Sequence, residues 1–471
     1  MGMPTFFKSL AACLKTLPLK SKMSISFHHH LRNGDQVLNQ VCKVLEAENI
    51  RDLHLYPSSI FPVHAPLVHM IRRGTVRDIT TNYINGPVAD AIASGALQGS
   101  LTMQTHGGRA RAFKEGENQV DIAFIAAPTV DKQGNGSGLL GPAACGSLGY
   151  ALSDVSYANL KILLTDHVVD QLDSYQIHGT DIDAVVVCES LGDPRGILSG
   201  TTSPTRDPVG IKIARQAIEV MDAAGMIYDG FSYQSGAGGI SLRATQLLER
   251  RMIEREVQAA FFSGGITGMH ARMLHAGLVQ KLYDVQCFDL EAVKSLATQR
   301  NHIAISADTY ANPNNPKRII KALGTVILGA TEVDLNFNVN VTTDSFNTII
   351  GGSGGHADTA EDADLTVIVT PLLKARIPVI REHVTTITTE GKFVDVIITE
   401  RGIAVNPARK DLKEKLLQAG CDVASLQTLL ARAHDLTGQP KTWPTKGASL
   451  GIVEGRRGNQ MDTLHRKVEG P

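Results

Sequence analysis

Phe231-Ser232-Tyr233-Gln234-Ser235-Gly236-Ala237-Gly238-Gly239-Ile240-Ser241-Leu242 decides the fold. A β-compatible run ends abruptly in small residues, and a helical-looking segment, 243–251, follows it. Strand, glycine turn and helix together aim free backbone N–H groups at one point. Glycine in the turn lets a ligand approach closely and permits positive φ. Such a turn can cradle a phosphate or hold the oxyanion of a carbonyl under attack. It can equally be a tight connection with no ligand.

The same pattern recurs on either side. Downstream, Ala259-Ala260-Phe261-Phe262 enters Ser263-Gly264-Gly265, and Thr348-Ile349-Ile350 enters Gly351-Gly352-Ser353-Gly354-Gly355-His356. Leu335-Asn336-Phe337-Asn338-Val339-Asn340-Val341 alternates strictly and predicts a strand with three asparagines on one face. Upstream, 121–127, 162–164 and 182–187 are nearly unbroken apolar runs, as strands buried on both faces should be. Helical spacing at 36–48, 67–73 and 87–94 separates the upstream strands, and 411–433 reads as one amphipathic helix. Strands alternating with helices imply an α/β fold: two similar doubly wound, mainly parallel-sheet domains facing a central cleft. The expected division is 23–228 and 229–471, after an N-terminal extension 1–22 that reads as a short frayed helix.

A chain of 471 residues is too long for one core. A net charge of −1, with 43% hydrophobic and 20% charged residues, is that of a soluble globular protein with no field to draw nucleic acid. No run is long and apolar enough to span a bilayer. Six scattered cysteines without a CxxC pair argue against a disulfide framework and a zinc site, and place the chain in a reducing, cytoplasmic compartment. Cys188, inside an apolar run, reads as a buried thiol.

Nucleotide signatures are missing: neither GxGxxG in context nor GxxxxGK[ST] occurs, and HExxH is absent too. What remains handles anions. His106-Gly107-Gly108-Arg109-Ala110-Arg111 places glycine amides and two guanidiniums after a strand, and Arg109 and Arg111 suit bidentate recognition of carboxylate or phosphate, unless they are merely solvated. His356 could donate to a carbonyl or carboxylate, or only cap a turn. His28-His29-His30, in an extended segment, would point to alternate faces, so all three do not hold one metal, though one or two can face a pocket. No metal site is expected.

These strings carry a resemblance. Ser24-Ile25-Ser26-Phe27-His28-His29-His30, His106 to Ala112, Cys145-Gly146-Ser147-Leu148-Gly149-Tyr150, Gly264-Gly265-Ile266-Thr267, Asn336 to Val341 and Gly351 to His356 resemble the citrate lyase alpha-subunit family, from about Met23 onward. The resemblance implies a fold of CoA-transferase type. It also implies a reaction in which citrate displaces acetate from an acetyl thioester on an acyl carrier protein, giving a citryl thioester that a separate lyase chain then cleaves. The expected partners are the acyl carrier protein (gamma) and citryl-carrier lyase (beta) subunits in an oligomer. The carrier bears a phosphoribosyl-dephospho-CoA arm, with acetyl-CoA a possible surrogate, and no cofactor is bound covalently to this chain.

Glutamate-dependent CoA transferases carry a nucleophilic glutamate at a strand end, whereas Phe261-Phe262-Ser263-Gly264-Gly265 has no carboxylate. The departure favours direct attack by the citrate carboxylate through a transient mixed anhydride. Gly236, Gly238, Gly239, Gly354 and Gly355 are then expected to form the oxyanion pocket, with His356 beside them. His106, Arg109, Arg111, Ser235 and Asn338 form the expected substrate-binding set. Two rivals stay open: a glutamyl-enzyme transferase or hydrolase using Glu400, and a non-catalytic scaffold that binds the carrier protein.

Overall fold

Ile122-Ala123-Phe124-Ile125-Ala126 is buried along its whole length, so this strand is covered on both faces. It sits within the larger of the two main sheets in a computed structural model that describes residues 3–28, 30–198, 203–439 and 447–467. The first sheet is built from β1 (Thr5–Phe7), β2 (Ser24–Phe27), β3 (Leu53–Pro57), β4 (Val76–Thr81), β5 (Leu101–Met103), β6 (Ile122–Ala126), β7 (Leu160–Thr165) and β8 (Ala184–Val187). The second contains β9 (Ser232–Ser235), β10 (Ala259–Ile266), β11 (Val279–Cys287), β12 (His302–Ala304), β13 (Thr325–Gly329), β14 (Leu365–Val369), β15 (Val396–Thr399) and β16 (Gly402–Val405). A hairpin late in the chain, β17 (Ser449–Glu454) and β18 (Gln460–His465), extends the first sheet at its edge.

The two sheets have one topology. Reading across, β8-β7-β6-β2-β3-β4-β5 in the first matches β15-β14-β13-β9-β10-β11-β12 in the second. All of these neighbours run parallel. Even a loop is duplicated. Asp131 Oδ1 accepts the amides of Gln133 and Asn135, while Asn135 Nδ2 donates to Asp131 Oδ2 and its Oδ1 accepts from Gly179. In the second half Asp334, Asn336, Asn338 and Gly391 repeat each of these bonds.

This second loop replaces the single strand expected over 335–341. Strands Glu332–Asp334 and Val339–Asn340 pair antiparallel instead, with Phe337 at φ +66° between them. Local carboxylate-to-amide bonds outcompete the ladder, as Asp does in turns.

Three further expectations change. The N-terminal segment is not an extension: Thr5–Phe7 pairs with 184–186 in the first sheet, and only Leu10–Leu14 is helical. The region 411–433 is two helices, Lys410–Gln418 and Leu426–Thr437, parted at Gly420, whose φ is +77°. The C-terminal hairpin belongs to the first sheet rather than to the second domain, with Gly451, Ile452 and Val453 alongside Leu101, Thr102 and Met103.

Candidate functional site

In each sheet the chain runs outward on one side and then returns to the other side of its starting strand. The switch points therefore lie beside β2 and β6 in one sheet and β9 and β13 in the other. Crevices open at the carboxyl ends of such strands. The loop 28–35 follows β2, and Gly236–Gly239 follows β9, so the two are topological counterparts. Three helices bear on them: α1 (His106–Lys114), α2 (Gly239–Arg255) and α3 (His356–Asp362).

The two halves meet through backbone. The amide of His106 donates to Gly354 O at 2.9 Å, the amide of Ala307 to Gly149 O at 2.9 Å, and Ser147 Oγ to Asp284 O at 2.7 Å. At this junction lies a cluster with unanswered polar atoms. His28, His30 and Tyr150 are stepped 5.5 Å apart, ring to ring, and His106 lies 4.3 Å from the Tyr150 ring. His28 Nδ1, both nitrogens of His30 and His106 Nδ1 are buried with no hydrogen-bond partner among the described residues. Position 29 lies outside those residues.

The His28 tautomer follows from its neighbour. Its Nε2 accepts from the amide of Ala126 at 3.1 Å, so the proton of the neutral ring sits on Nδ1, a donor without an acceptor. Burial, reinforced by the nearby Arg109 charge, lowers the pKa of His28 and of His106 to about 3. His30 is held well below its usual range by burial, then by His28 and Arg109. All three imidazoles are neutral at physiological pH.

Arg32 adds the charge. It is 8% exposed, its guanidinium lies 4.8 Å from the Phe288 ring centroid and 5.4 Å from that of Phe61, and its Nη1 has no partner among the described residues. Tyr83 and Tyr150 are its electrostatic neighbours. The nearest acid in sequence, Asp35, is held by His64 Nε2 at 3.0 Å. Phe288 comes from the second half, just beyond β11, and Gly265 explains its position: a Cβ there would lie 2.1 Å from the ring. Behind this wall Gln234 donates to Tyr310 Oη at 2.7 Å and accepts from Ser263 Oγ at 2.9 Å.

The residues expected from sequence fall differently. Arg109 and Arg111 are two positions apart on α1, about 200° around the axis, and diverge. Arg109 forks onto Asp154 at 2.9 and 3.1 Å and also donates to Tyr56 O. Arg111 serves Glu115, Glu117 and Arg456 O. Both guanidiniums are engaged by acids of this chain; Arg109, next to the imidazoles, keeps only its Nε without a partner among the described residues.

Asn338 is bound to Asp334 and Gly391 in the duplicated loop, and His356 bridges Thr389 Oγ1 and Gly329 O at 2.8 and 2.9 Å. Both His356 nitrogens are thus occupied, and burial lowers its pKa to about 4. The amides of Gly236 and Gly354 donate to Ile327 O and Asn82 O, so they too serve the fold. Gly355 precedes α3 with its Cβ position 2.6 Å from Tyr310 Oη. Gly238 and Gly239 open α2, where first-turn amides lack helical partners. Ser235 ends β9, buried. Of the expected set, only His106 lies in the cluster itself.

Cys188 is half-buried rather than buried, at the end of its strand. Arg32, Tyr150 and Phe288 were missed by sequence reasoning. The one available signal was position: Arg32-Asn33-Gly34 follows the counterpart strand of the glycine turn. Among the described residues no group of three or more His, Cys, Asp or Glu side chains is gathered to hold a metal, and no helix is long and apolar enough to cross a membrane.

Over residues 5–467 the chain matches the family described as Citrate lyase, alpha subunit (CitF). It is 39% identical over 459 residues to the citrate lyase alpha chain of Klebsiella pneumoniae, covering 97% of this chain and 90% of that protein. A crystal structure from Streptococcus mutans, described as the alpha subunit of citrate lyase in complex with citrate, matches with a TM-score of 0.96 at 38% identity. That likeness covers 99% of this chain and 92% of the other. A 4-hydroxybutyrate CoA-transferase from Porphyromonas gingivalis, 14% identical, shares the fold with a TM-score of 0.58 over 92% of this chain and 98% of its own. The chain belongs to the citrate lyase alpha-subunit family.

Proposed function

We propose that this transferase component of citrate lyase exchanges acetate for citrate on the thioester of an acyl carrier protein, without an acyl-enzyme. A citrate carboxylate oxygen attacks the acetyl carbonyl, the carrier thiolate leaves, and an acetyl–citryl anhydride remains. The thiolate then attacks the citryl carbonyl and acetate departs, so atoms and charge balance with no external reagent. The partners are the carrier protein, through its phosphoribosyl-dephospho-CoA arm, and the lyase subunit that consumes the product, in a cytoplasmic complex.

One observation carries the reading: the acids around the cluster each accept protein donors, with Asp284 Oδ1 alone among them unpartnered within the described residues. Asp154 is held by Arg109, Asp358 by Thr105 and Gly107, and Asp284 by His302 and Cys287. Glu400, the rival nucleophile, accepts the amide of Leu372 through Oε2 at 2.9 Å, in the turn between β15 and β16. Each of these carboxylates is committed to protein donors, which disfavours an acyl-enzyme. Donors are plentiful, with Gly238 and Gly239 at the start of α2, and Gly355 at the start of α3, the remaining amide candidates for the oxyanion.

The test is acetate release by the purified chain from acetyl-CoA, with and without citrate. Citrate-dependent release with matching citryl thioester supports the exchange. Release without citrate, abolished by Glu400→Gln, would support the glutamyl-enzyme rival. No release even from the acetylated carrier protein would leave the scaffold reading.

A further inference from the structure

We infer that Arg32 anchors a substrate carboxylate, with His28 Nδ1–H and the His30 ring as neutral donors to further oxygens of the same small hydroxy-polycarboxylate. This rests on the transferase reading for the identity of that acid, but the anchor itself stands on four observations.

The first is an imbalance of charge. A guanidinium 8% exposed, with Nη1 unpartnered and no ion pair among the described residues, is costly in a fold that gives its neighbours Arg109 and Arg111 an acid each. An anion delivered from outside removes that cost. The second is preorganisation: the Phe61 and Phe288 rings flank the group, one from each half of the molecule, and leave its donor edge to define the ligand plane.

The third is backbone strain. Arg32 has φ +52°, a conformation disfavoured for a side chain of this size. The loop is over-determined around it: Asp35 is locked to His64, His64 Nδ1 accepts from the Phe61 amide, and Asn33 Oδ1 accepts from Val63. Strain maintained in this way marks functional positions. The fourth is the unpaired Nδ1–H of His28, whose tautomer the Ala126 amide dictates.

A single fixed charge beside neutral donors suits an acid gripped at one carboxylate and hydrogen-bonded at its other oxygens.

The experiment is calorimetric titration of citrate into the folded chain, wild type against Arg32→Gln and Arg32→Lys, with acetyl-CoA titrated in parallel. Arg32→Gln should weaken citrate about fiftyfold and Arg32→Lys about tenfold, with acetyl-CoA unchanged. Citrate binding at wild-type strength in either variant overturns the anchor. Should both variants fail to fold, a crystal structure of the wild-type chain with citrate decides: a carboxylate on the Arg32 guanidinium supports the anchor, and one held elsewhere refutes it. The two readings fail separately. Citrate bound through Arg32 without any acetate release would sink the transfer alone, and transfer with an unchanged citrate KM in Arg32→Gln would sink the anchor alone.

Discussion

The Asp358 carboxylate, at the start of α3 in the second half, accepts the Gly107 amide of α1 in the first half at 2.8 Å. Its other oxygen accepts from Thr105 Oγ1 at 2.7 Å. The residue between these two donors is His106, so this clamp sets where that imbalance of free ring nitrogen sits in the cluster. Asp358→Asn must turn an N–H₂ toward one of the two donors. It should lower unfolding free energy by about 2 kcal/mol in urea titration. An unchanged midpoint would show that the clamp contributes nothing.

Arg109 should prove structural. Removing its guanidinium leaves Asp154 charged and fully buried, so Arg109→Ala should cost about 4 kcal/mol of stability. Its effect on citrate binding should be smaller than that of Arg32→Gln once only folded protein is counted. A variant of wild-type stability with a large rise in citrate KM would return Arg109 to the role first expected of it.

Acid should destabilise the fold through its neutral histidines. Burial lowers His28 and His106 to about 3 and His270 and His356 to about 4, against 6.5 when unfolded. The unfolded chain therefore binds more protons between these limits, and the stability they confer above pH 6.5 is lost as pH falls toward 3. At pH 5 each should withdraw up to about 2 kcal/mol. Asp358 opposes them: burial raises its pKa to about 7, so its contribution grows as pH falls from 7 toward 3.8. Four groups outweigh one, and the denaturation midpoint should drop between pH 7 and 5; a flat profile would contradict the neutral, buried imidazoles.

Gly265→Ala tests the aromatic wall. The new methyl overlaps the Phe288 ring and must displace it from Arg32. Citrate affinity should fall about fivefold by calorimetry. No change in affinity, with the ring shifted in a crystal structure, would remove Phe288 from the recognition of the acid.

Gly238→Val separates catalysis from folding. The Cβ position has only Ser241 Oγ near it, at 4.0 Å, and φ is −75°, so thermal stability should hold. If the first amides of α2 receive the oxyanion, crowding them should reduce kcat at least about tenfold. Unaltered turnover would take the glycine turn out of the chemistry.

Much of the scaffold was readable because it rests on local pattern. Runs such as 122–126 and 365–369 are apolar on both faces, and the alternation of strand and helix announces parallel sheets and two alike halves. The site was readable only by neighbourhood. The string at 106–111 does border the cluster, yet whether a guanidinium is free depends on an acid 45 positions away, Asp154, which no local pattern marks. Arg32 looked ordinary because its flanking rings come from positions 61 and 288. Asn338 misled for the opposite reason: strict alternation suggested a strand, while Asp334 offered the backbone a tighter local partner.

The C-terminal hairpin has a consequence for biosynthesis. β17 lies beside β5, and Gln104 Nε2 meets Glu454 Oε1 at 2.9 Å across 350 positions of chain. As the chain emerges from the ribosome, the first sheet can assemble early but keeps an open edge at β5 until residues 449–454 are made. During that interval the edge is a template for another nascent chain. The closing step is a long-range pairing and therefore slow. A fragment ending near 228 would carry that open edge permanently and should associate with copies of itself.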